Sequence, residues 1–310
     1  MKKIQHVSII GMGALGLLYG NHIAEKAGMD AVDFVMDEAR FEQKKGKTNL
    51  INGVEKQFLM TPDSQAKPAD LLIVAVKSTG LEKALDTMKN CIDENTAIIS
   101  VLNGISSEEM IAERYGHKNM IYTVAQAMDA MIFDNGLEYT RLGELRIGQI
   151  ESGNPEQLNR VTTFFDEIEL PYVVEKDILY RMWGKFMLNV GINQTCMVYN
   201  TNYRTALSEG EANRTLIAAM REVIAVANAE GIALSEADLN QYIEIISTLK
   251  PTGTPSMGQD RIHKRPSEVE MFSGTVIRLA QKHHLHVPTN RFLYNRVHEI
   301  ESEYVTGTGK

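Results

Sequence analysis

The sequence predicts an α/β Rossmann-type N-terminal domain, doubly wound around a parallel sheet, followed by an all-α C-terminal domain. Three observations carry this expectation. Short apolar runs that read as buried strands alternate with helical patterns through the first half. The first of those runs ends in a glycine-rich turn that opens a helix, Gly11-Met12-Gly13-Ala14-Leu15-Gly16. Beyond Asp177 only helical periodicity continues. A chain of 310 residues also exceeds what one hydrophobic core usually supports. The expected boundaries are residues 1–176 for a dinucleotide-binding domain and 177–310 for a helical substrate and dimerisation domain.

The elements follow in order. Residues 6–10 read as a buried strand, 14–26 as a helix, 32–36 as a second strand and 38–45 as a polar helix. Weaker strand patterns lie at 48–52 and 56–60. Residues 70–76, Asp-Leu-Leu-Ile-Val-Ala-Val, form the nearly continuous apolar run of a parallel strand covered on both faces. A helix over 81–91, a strand over 97–102 and a helix over 108–115 continue the alternation. From 120 to 150 the pattern turns to strands with glycine-containing turns, including Asn135-Gly136 and a strand segment at 140–149. A helix over 155–168 and a strand over 172–175 complete the domain. Helical periodicity then marks 178–190, 211–230, 236–249, 267–283 and 290–303, with a Pro/Gly-rich loop expected at 250–258 and a frayed tail at 306–310.

Composition narrows the partners. Hydrophobic residues make up 44% and charged residues 23% of the chain, the balance of a protein with a sizeable core. The formal charge of −8 argues against nucleic acid or an anionic membrane, both of which select basic surfaces. No apolar run is long enough for a membrane span, and Met-Lys-Lys-Ile-Gln-His leads straight into a strand, so a cytoplasmic protein is expected. Cys91 and Cys196 stand in no metal-binding spacing and read as reduced and structural. His283, His284 and His286 read as a solvated helix end, and the 16 methionines as core filling.

The glycine motif carries the first chemical expectation. After a buried strand, Gly11 can make the tight turn, Gly13 can admit a pyrophosphate to the backbone, and Gly16 can bring the helix against the sheet. The helix N-terminus supplies unpaired N–H groups for phosphate. Asp37 ends the second strand, where an acid can accept hydrogen bonds from the adenosine ribose and favour NAD(H). Arg40, Lys44 and Lys45 follow closely enough to offset its repulsion of the extra phosphate of NADP(H).

A second pattern lies in Trp183-Gly-Lys185-Phe-Met-Leu-Asn189-Val-Gly-Ile-Asn193. Lys185, Asn189 and Asn193 recur at i, i+4 spacing and share one helix face. The residues between them are apolar, so this polar stripe needs partners, which a ligand with carboxylate, carbonyl and hydroxyl groups would supply.

With these motifs the chain resembles the ketopantoate reductase (2-dehydropantoate 2-reductase) family over nearly its whole length. The marks are the glycine motif, Val76-Lys77, Leu102-Asn103-Gly104, Trp183-Gly-Lys185 with Asn189 and Asn193, and Ser256-Met-Gly-Gln-Asp260 followed by Glu268. The resemblance implies reduction of ketopantoate, a small 2-oxo acid, to pantoate with NADP(H) as cofactor, and the long apolar helical domain could bury the face of a homodimer. It implies Lys185 as proton donor and a substrate held by Asn189, Asn193 and Ser256, with Asp260 alongside. Asn103 would touch both ligands, Lys77 would lie by the cofactor, and Glu268 would orient the reactive end and border the cofactor, all in a cleft between the domains. An ammonium beside the carbonyl can stabilise the charge that hydride transfer creates and then protonate it.

The chain departs from the family pattern in two places. Asp37 stands where many members have Arg, which leaves NAD(H) as an alternative, although Arg40 matches a second basic position. The stretch Gln194-Thr-Cys-Met-Val-Tyr-Asn200 and the pair Ser273-Gly274, in place of Asn-Gly, differ around the substrate helix. An NADH-dependent dehydrogenase of other branched or aromatic 2-oxo acids is therefore a second expectation. A non-catalytic dinucleotide-sensing protein is a third.

Overall fold

The computed structural model describes residues 3–133 and 136–306 and divides the chain into two compact units. The first comprises residues 1–103 and 107–178, the second residues 104–106 and 179–310. Asn135 of the expected Asn135-Gly136 turn and residues 307–310 of the tail lie outside the described residues.

In the first unit the order is β1 (Val7–Ile10), α1 (Ala14–Ala27), β2 (Val32–Met36), α2 (Glu38–Lys44), β3 (Asn49–Ile51), β4 (Val54–Lys56), β5 (Leu59–Pro62) and β6 (Leu71–Val74). There follow α3 (Leu81–Thr87), β7 (Ala97–Ser100), α4 (Ser107–Tyr115), β8 (Met120–Gln126), β9 (Met131–Phe133), β10 (Gly136–Glu138), β11 (Glu144–Gly148), α5 (Pro155–Glu167) and β12 (Tyr172–Val174). Eight strands form one sheet in the order β12-β11-β8-β7-β6-β1-β2-β5. From β8 to β5 every neighbour is parallel, and β11 runs antiparallel to β8. Every residue of β1, β2, β6 and β7 is buried, as strands covered on both faces must be. The chain winds from β1 to β2 and β5 on one side, then returns to β6 on the other, so the strand order reverses at β1.

The segment expected as one strand over 56–60 divides. β4 joins the small sheet β4-β3-β10-β9, whereas β5 pairs with β2 at the edge of the large one. Phe58 between them is buried against Phe34, with ring centroids 5.3 Å apart, and this anchor turns the chain from one sheet to the other. The helix expected over 81–91 ends at Thr87 and is followed by a 3₁₀ turn, Lys89–Cys91.

The second unit is helical: α6 (Ile178–Val198), α7 (Tyr203–Leu207), α8 (Glu211–Ala229), α9 (Glu236–Ser247), α10 (Ser256–Ile262), a π-helical turn Glu270–Gly274, α11 (Thr275–Lys282) and α12 (Pro288–Thr306). The helix α6 runs on to Val198, past its expected end at 190, and two glycines let its neighbours approach it. A Cβ on Gly184 would lie 2.3 Å from the Tyr242 hydroxyl of α9, and one on Gly191 would lie 2.6 Å from Cγ of Met220 in α8.

Two expectations fail here. Residues 256–258, read as loop, form the first turn of α10, because Pro255 stands just before the helix where a missing N–H costs nothing. Residues 267–283 are not one regular helix. The Ser273 N–H donates to the Gln194 side chain at 3.2 Å, and the Gly274 N–H reaches back to the Val269 carbonyl, which widens that turn. Among the described residues no helix is long and apolar enough to cross a membrane.

Candidate active site

In the first unit the expected cofactor residues stand at the carboxyl edge of the parallel sheet. Gly11 directly follows β1 and Asp37 directly follows β2, while Lys77 and Asn103 each stand three residues past β6 and β7. Register places these strand ends side by side, with Ile10 opposite both Val35 and Val74, and Val74 opposite Ser100. In a doubly wound sheet this edge, at the point where strand order reverses, is where ligands bind.

The three glycines of the motif serve different ends. Gly11 has φ +112°, and a Cβ there would lie 2.6 Å from the Ala75 carbonyl oxygen. A Cβ on Gly16 would lie 1.9 Å from the Gly11 carbonyl oxygen, so α1 could not pack as it does with any other residue. Gly13 is different, since its nearest protein neighbour would be the Ala75 oxygen at 3.8 Å, an ordinary contact. The fold does not need a glycine at 13; open space above the helix N-terminus does. No acidic residue stands in the first turn of α1, and the first backbone bond of the helix is Leu17 N–H to Gly13 at 2.9 Å. The N–H groups ahead of it suit a phosphate. Met12, Ala14 and Leu15 pack partly buried on the core and fix this turn. These residues fit the pyrophosphate of a dinucleotide.

Asp37 caps α2, with its Oδ1 accepting the Arg40 N–H at 3.0 Å. Its Oδ2 lies 3.0 Å from Lys83 Nζ and 3.6 Å from Arg40 Nε. Burial alone would raise the Asp37 carboxyl, but Lys83 and Arg40 outweigh it and hold the pKa below the ordinary aspartate range. Lys83, which lies far from Asp37 in the sequence, was not among the expected site residues.

In the second unit α6 places Lys185, Asn189 and Asn193 on one face as expected. Asn189 and Asn193 are buried and Lys185 is half-buried. The Asn193 side chain is fixed from both ends. Its Nδ2 donates to Asn189 Oδ1 at 3.2 Å, while its Oδ1 accepts the Ser256 hydroxyl at 2.8 Å and the Met257 N–H at 3.3 Å. Ser256 is thereby joined to the stripe. Asp260 shares the Ser256 face of α10 but pairs with Arg265 Nε at 3.1 Å, closing the turn after that helix. Glu268 stands just before the π-helical turn, and its carbonyl accepts the Met271 N–H at 2.9 Å.

The two departures around α6 touch each other. Gln194 and Ser273 are fully buried, and the Ser273 hydroxyl donates to Asn290 Oδ1 at 2.9 Å. Asn290 in turn donates from its N–H and its Nδ2 to Glu222 Oε2, each at 2.8 Å, which ties α12 to α8. Ser273 thus forms part of a satisfied internal network. Among the described residues no group of histidine, cysteine and acidic side chains could hold a metal, and His283 pairs with Glu230. Cys91 and Cys196 are free and buried, and burial first of all pushes each thiol up to about 12.

The chain matches the family described as "Ketopantoate reductase PanE/ApbA" over residues 7–152, and its C-terminal counterpart, "Ketopantoate reductase PanE/ApbA C terminal", over residues 177–301. It is 27% identical over 306 residues to the 2-dehydropantoate 2-reductase of Lactococcus lactis, covering 95% of this chain and 97% of that one. Among solved structures it is similar to D-mandelate dehydrogenase in complex with NADH, with TM-score 0.85, 22% identity and coverage of 96% and 99% of the two chains. A dimeric ketopantoate reductase from Staphylococcus aureus gives TM-score 0.79 at 22% identity over the same shares. These two likenesses concern the fold. The family matches cover both units and include the glycine turn of the first and the polar face of α6 in the second: the chain belongs to the ketopantoate reductase family.

Proposed function

We propose that the chain reduces 2-dehydropantoate (ketopantoate) to pantoate, with NADPH as reductant and Lys185 as proton donor. Its reaction class, that of an NAD(P)-dependent oxidoreductase acting on a CH–OH group, comes with the family. The single observation behind the finer assignment is the face of α6 that carries Lys185, Asn189 and Asn193 with Ser256 bonded to it.

The first unit would hold the dinucleotide, the Gly11–Gly16 turn receiving its pyrophosphate, with Lys77 and Asn103 on the same sheet edge. When bound, the nicotinamide would supply the hydride chemistry for reduction of the 2-oxo carbon. Lys185 stabilises the negative charge that grows on the carbonyl oxygen and then gives that oxygen a proton. Asn189, Asn193 and Ser256 orient the oxo acid. The bonds among them leave the Asn193 side chain one fixed orientation, so little ordering cost falls on substrate binding. Glu268 orients the reactive end, and Asp260 contributes by holding α10, and with it Ser256. The protein is taken as a cytoplasmic homodimer acting on a small molecule, in keeping with its acidic composition and with the dimeric relative.

A second reading, an NADH-dependent dehydrogenase of other branched or aromatic 2-oxo acids, draws on Asp37 and on the Gln194–Ser273 contact. Initial rates for a panel of 2-oxo acids with both dinucleotides separate the two. The expected result is a preference for ketopantoate over analogues lacking its hydroxyl by about tenfold or more in kcat/KM. Equal turnover of its simple branched analogues would reject the ketopantoate assignment.

A further inference from the structure

We propose that Gln194 is a positioning residue: its side chain holds open the π-helical turn Glu270–Gly274, and that turn sets the rotational phase of Glu268 about the axis of α11. The inference rests on the role given to Glu268 above and supplies the device that aims it.

In a regular α-helix the Ser273 N–H would bond to the carbonyl of Val269. Here that carbonyl accepts the Gly274 N–H at 3.0 Å and the Phe272 N–H at 3.2 Å, so the Ser273 N–H is displaced. It donates instead to Gln194 Oε1 at 3.2 Å. Gln194 Nε2 donates to the Val190 carbonyl at 2.7 Å, which fixes the end of the amide that faces the turn. Both residues are fully buried, so bulk water cannot take the place of Gln194 as partner of that N–H. A π turn holds one residue more than an α turn. Closing it would rotate the chain ahead of it by about 100° around the axis of α11 and shift it by about 1.5 Å. Glu268 stands just ahead, and its carbonyl accepts the Met271 N–H at 2.9 Å and the Phe272 N–H at 3.2 Å, so its backbone turns with the same coil. The Ser273 hydroxyl anchors the far side of the turn, donating to Asn290 Oδ1 at 2.9 Å. Gln194 directly follows Asn193 in α6. One helix therefore carries the substrate amides and sets the phase of Glu268 relative to them.

The test pairs a crystal structure with a double-mutant cycle. Gln194→Met keeps the length of the side chain and loses the amide oxygen. Its structure is expected to show the turn closed, with the Ser273 N–H on the Val269 carbonyl and Glu268 rotated; an unchanged π turn would overturn the proposal. Assayed with whichever 2-oxo acid the panel above favours, the variant should lose about tenfold or more in kcat and keep the dinucleotide KM within about twofold. In a Glu268→Gln background the same substitution should change kcat by less than about twofold, because the group it misaims is already gone. Equal losses in the two backgrounds would show that Gln194 does not act through Glu268. Ser273→Ala loses the bond to Asn290 but keeps the N–H, so it should lower the melting temperature and leave kcat within about twofold. A loss of kcat there as large as in Gln194→Met would reduce the effect to stability and sink the proposal. Gln194→Glu serves if the Met variant does not fold. Buried and protonated at about pH 6, its carboxyl offers an acceptor and an O–H donor where the amide stood, and should keep the turn open and kcat within about threefold. A closed turn in that variant would equally overturn the proposal. Wild-type turnover by Glu268→Gln alone would remove the role given to Glu268, while the Gln194→Met structure would still decide whether Gln194 holds the turn.

Discussion

Glu108→Gln is expected to stabilise the protein in alkaline solution and to change little in acid. Glu108 lies in the first turn of α4 at 1% exposure, with its Oε2 accepting the Ser107 hydroxyl at 2.8 Å. Ser107 is bonded in turn to the Ser100 hydroxyl at 2.9 Å, at the end of β7. Burial first, with a smaller push from Glu109, raises this carboxyl from the ordinary 4.5 to about 7, against the pull of Ser107 and of backbone N–H groups. The folded protein thus keeps a proton that the unfolded chain has already released. Stability from this group is full below the unfolded value, falls as pH rises between the two, and is lost above the folded value. The gap is worth about 3 kcal/mol. Glutamine is neutral throughout and keeps an acceptor for Ser107. Urea denaturation followed by circular dichroism should show the variant roughly level with wild type near pH 4.5 and more stable by up to about 3 kcal/mol near pH 8. A difference between the two proteins that does not change with pH, or that grows in favour of wild type, would refute the assignment of a buried, proton-holding carboxyl.

Other substitutions separate ligand from scaffold. Gly13→Ala should keep the melting temperature within about 2 °C yet weaken dinucleotide binding by about tenfold or more, since its Cβ meets only space that a pyrophosphate would use. Gly16→Ala should lower the melting temperature as well, by several degrees, because its Cβ would collide with the Gly11 carbonyl. Thermal melts and calorimetry read both, and equal behaviour of the two variants would contradict the division of labour. Asn193→Ala leaves a hydroxyl, an N–H and the Asn189 oxygen short of a partner, and should cost about 2–4 kcal/mol in denaturant unfolding together with a rise in KM for the oxo acid. Unchanged stability would show that the network carries no weight.

Legibility in the sequence followed the range of the interactions concerned. The strands β1, β2, β6 and β7 are continuous apolar runs because both faces are covered, and such runs need no partner information to be read. The glycine turn and the Lys185, Asn189, Asn193 face are likewise local, set by φ and by helical spacing. What escaped depends on distant contacts. Leu59 and Met60 join β2 only because Phe58 is buried against Phe34, and α10 begins at Ser256, where Asn193 Oδ1 accepts the Ser256 hydroxyl and the Met257 N–H although proline and glycine content alone suggests a loop. The π-helical turn is set by Gln194 reaching the Ser273 amide, and the Lys83–Asp37 pair joins α3 to the residue that follows β2. In each case the deciding partner stands far along the chain, where periodicity carries no signal.

The most direct measurement is Lys185→Ala, assayed for kcat with ketopantoate and titrated separately with dinucleotide. A positioned proton donor predicts a fall in kcat of about 100- to 10,000-fold while dinucleotide affinity stays within about twofold. A variant that turns over ketopantoate at the wild-type rate would show that the ammonium on α6 is not the group that protonates the product.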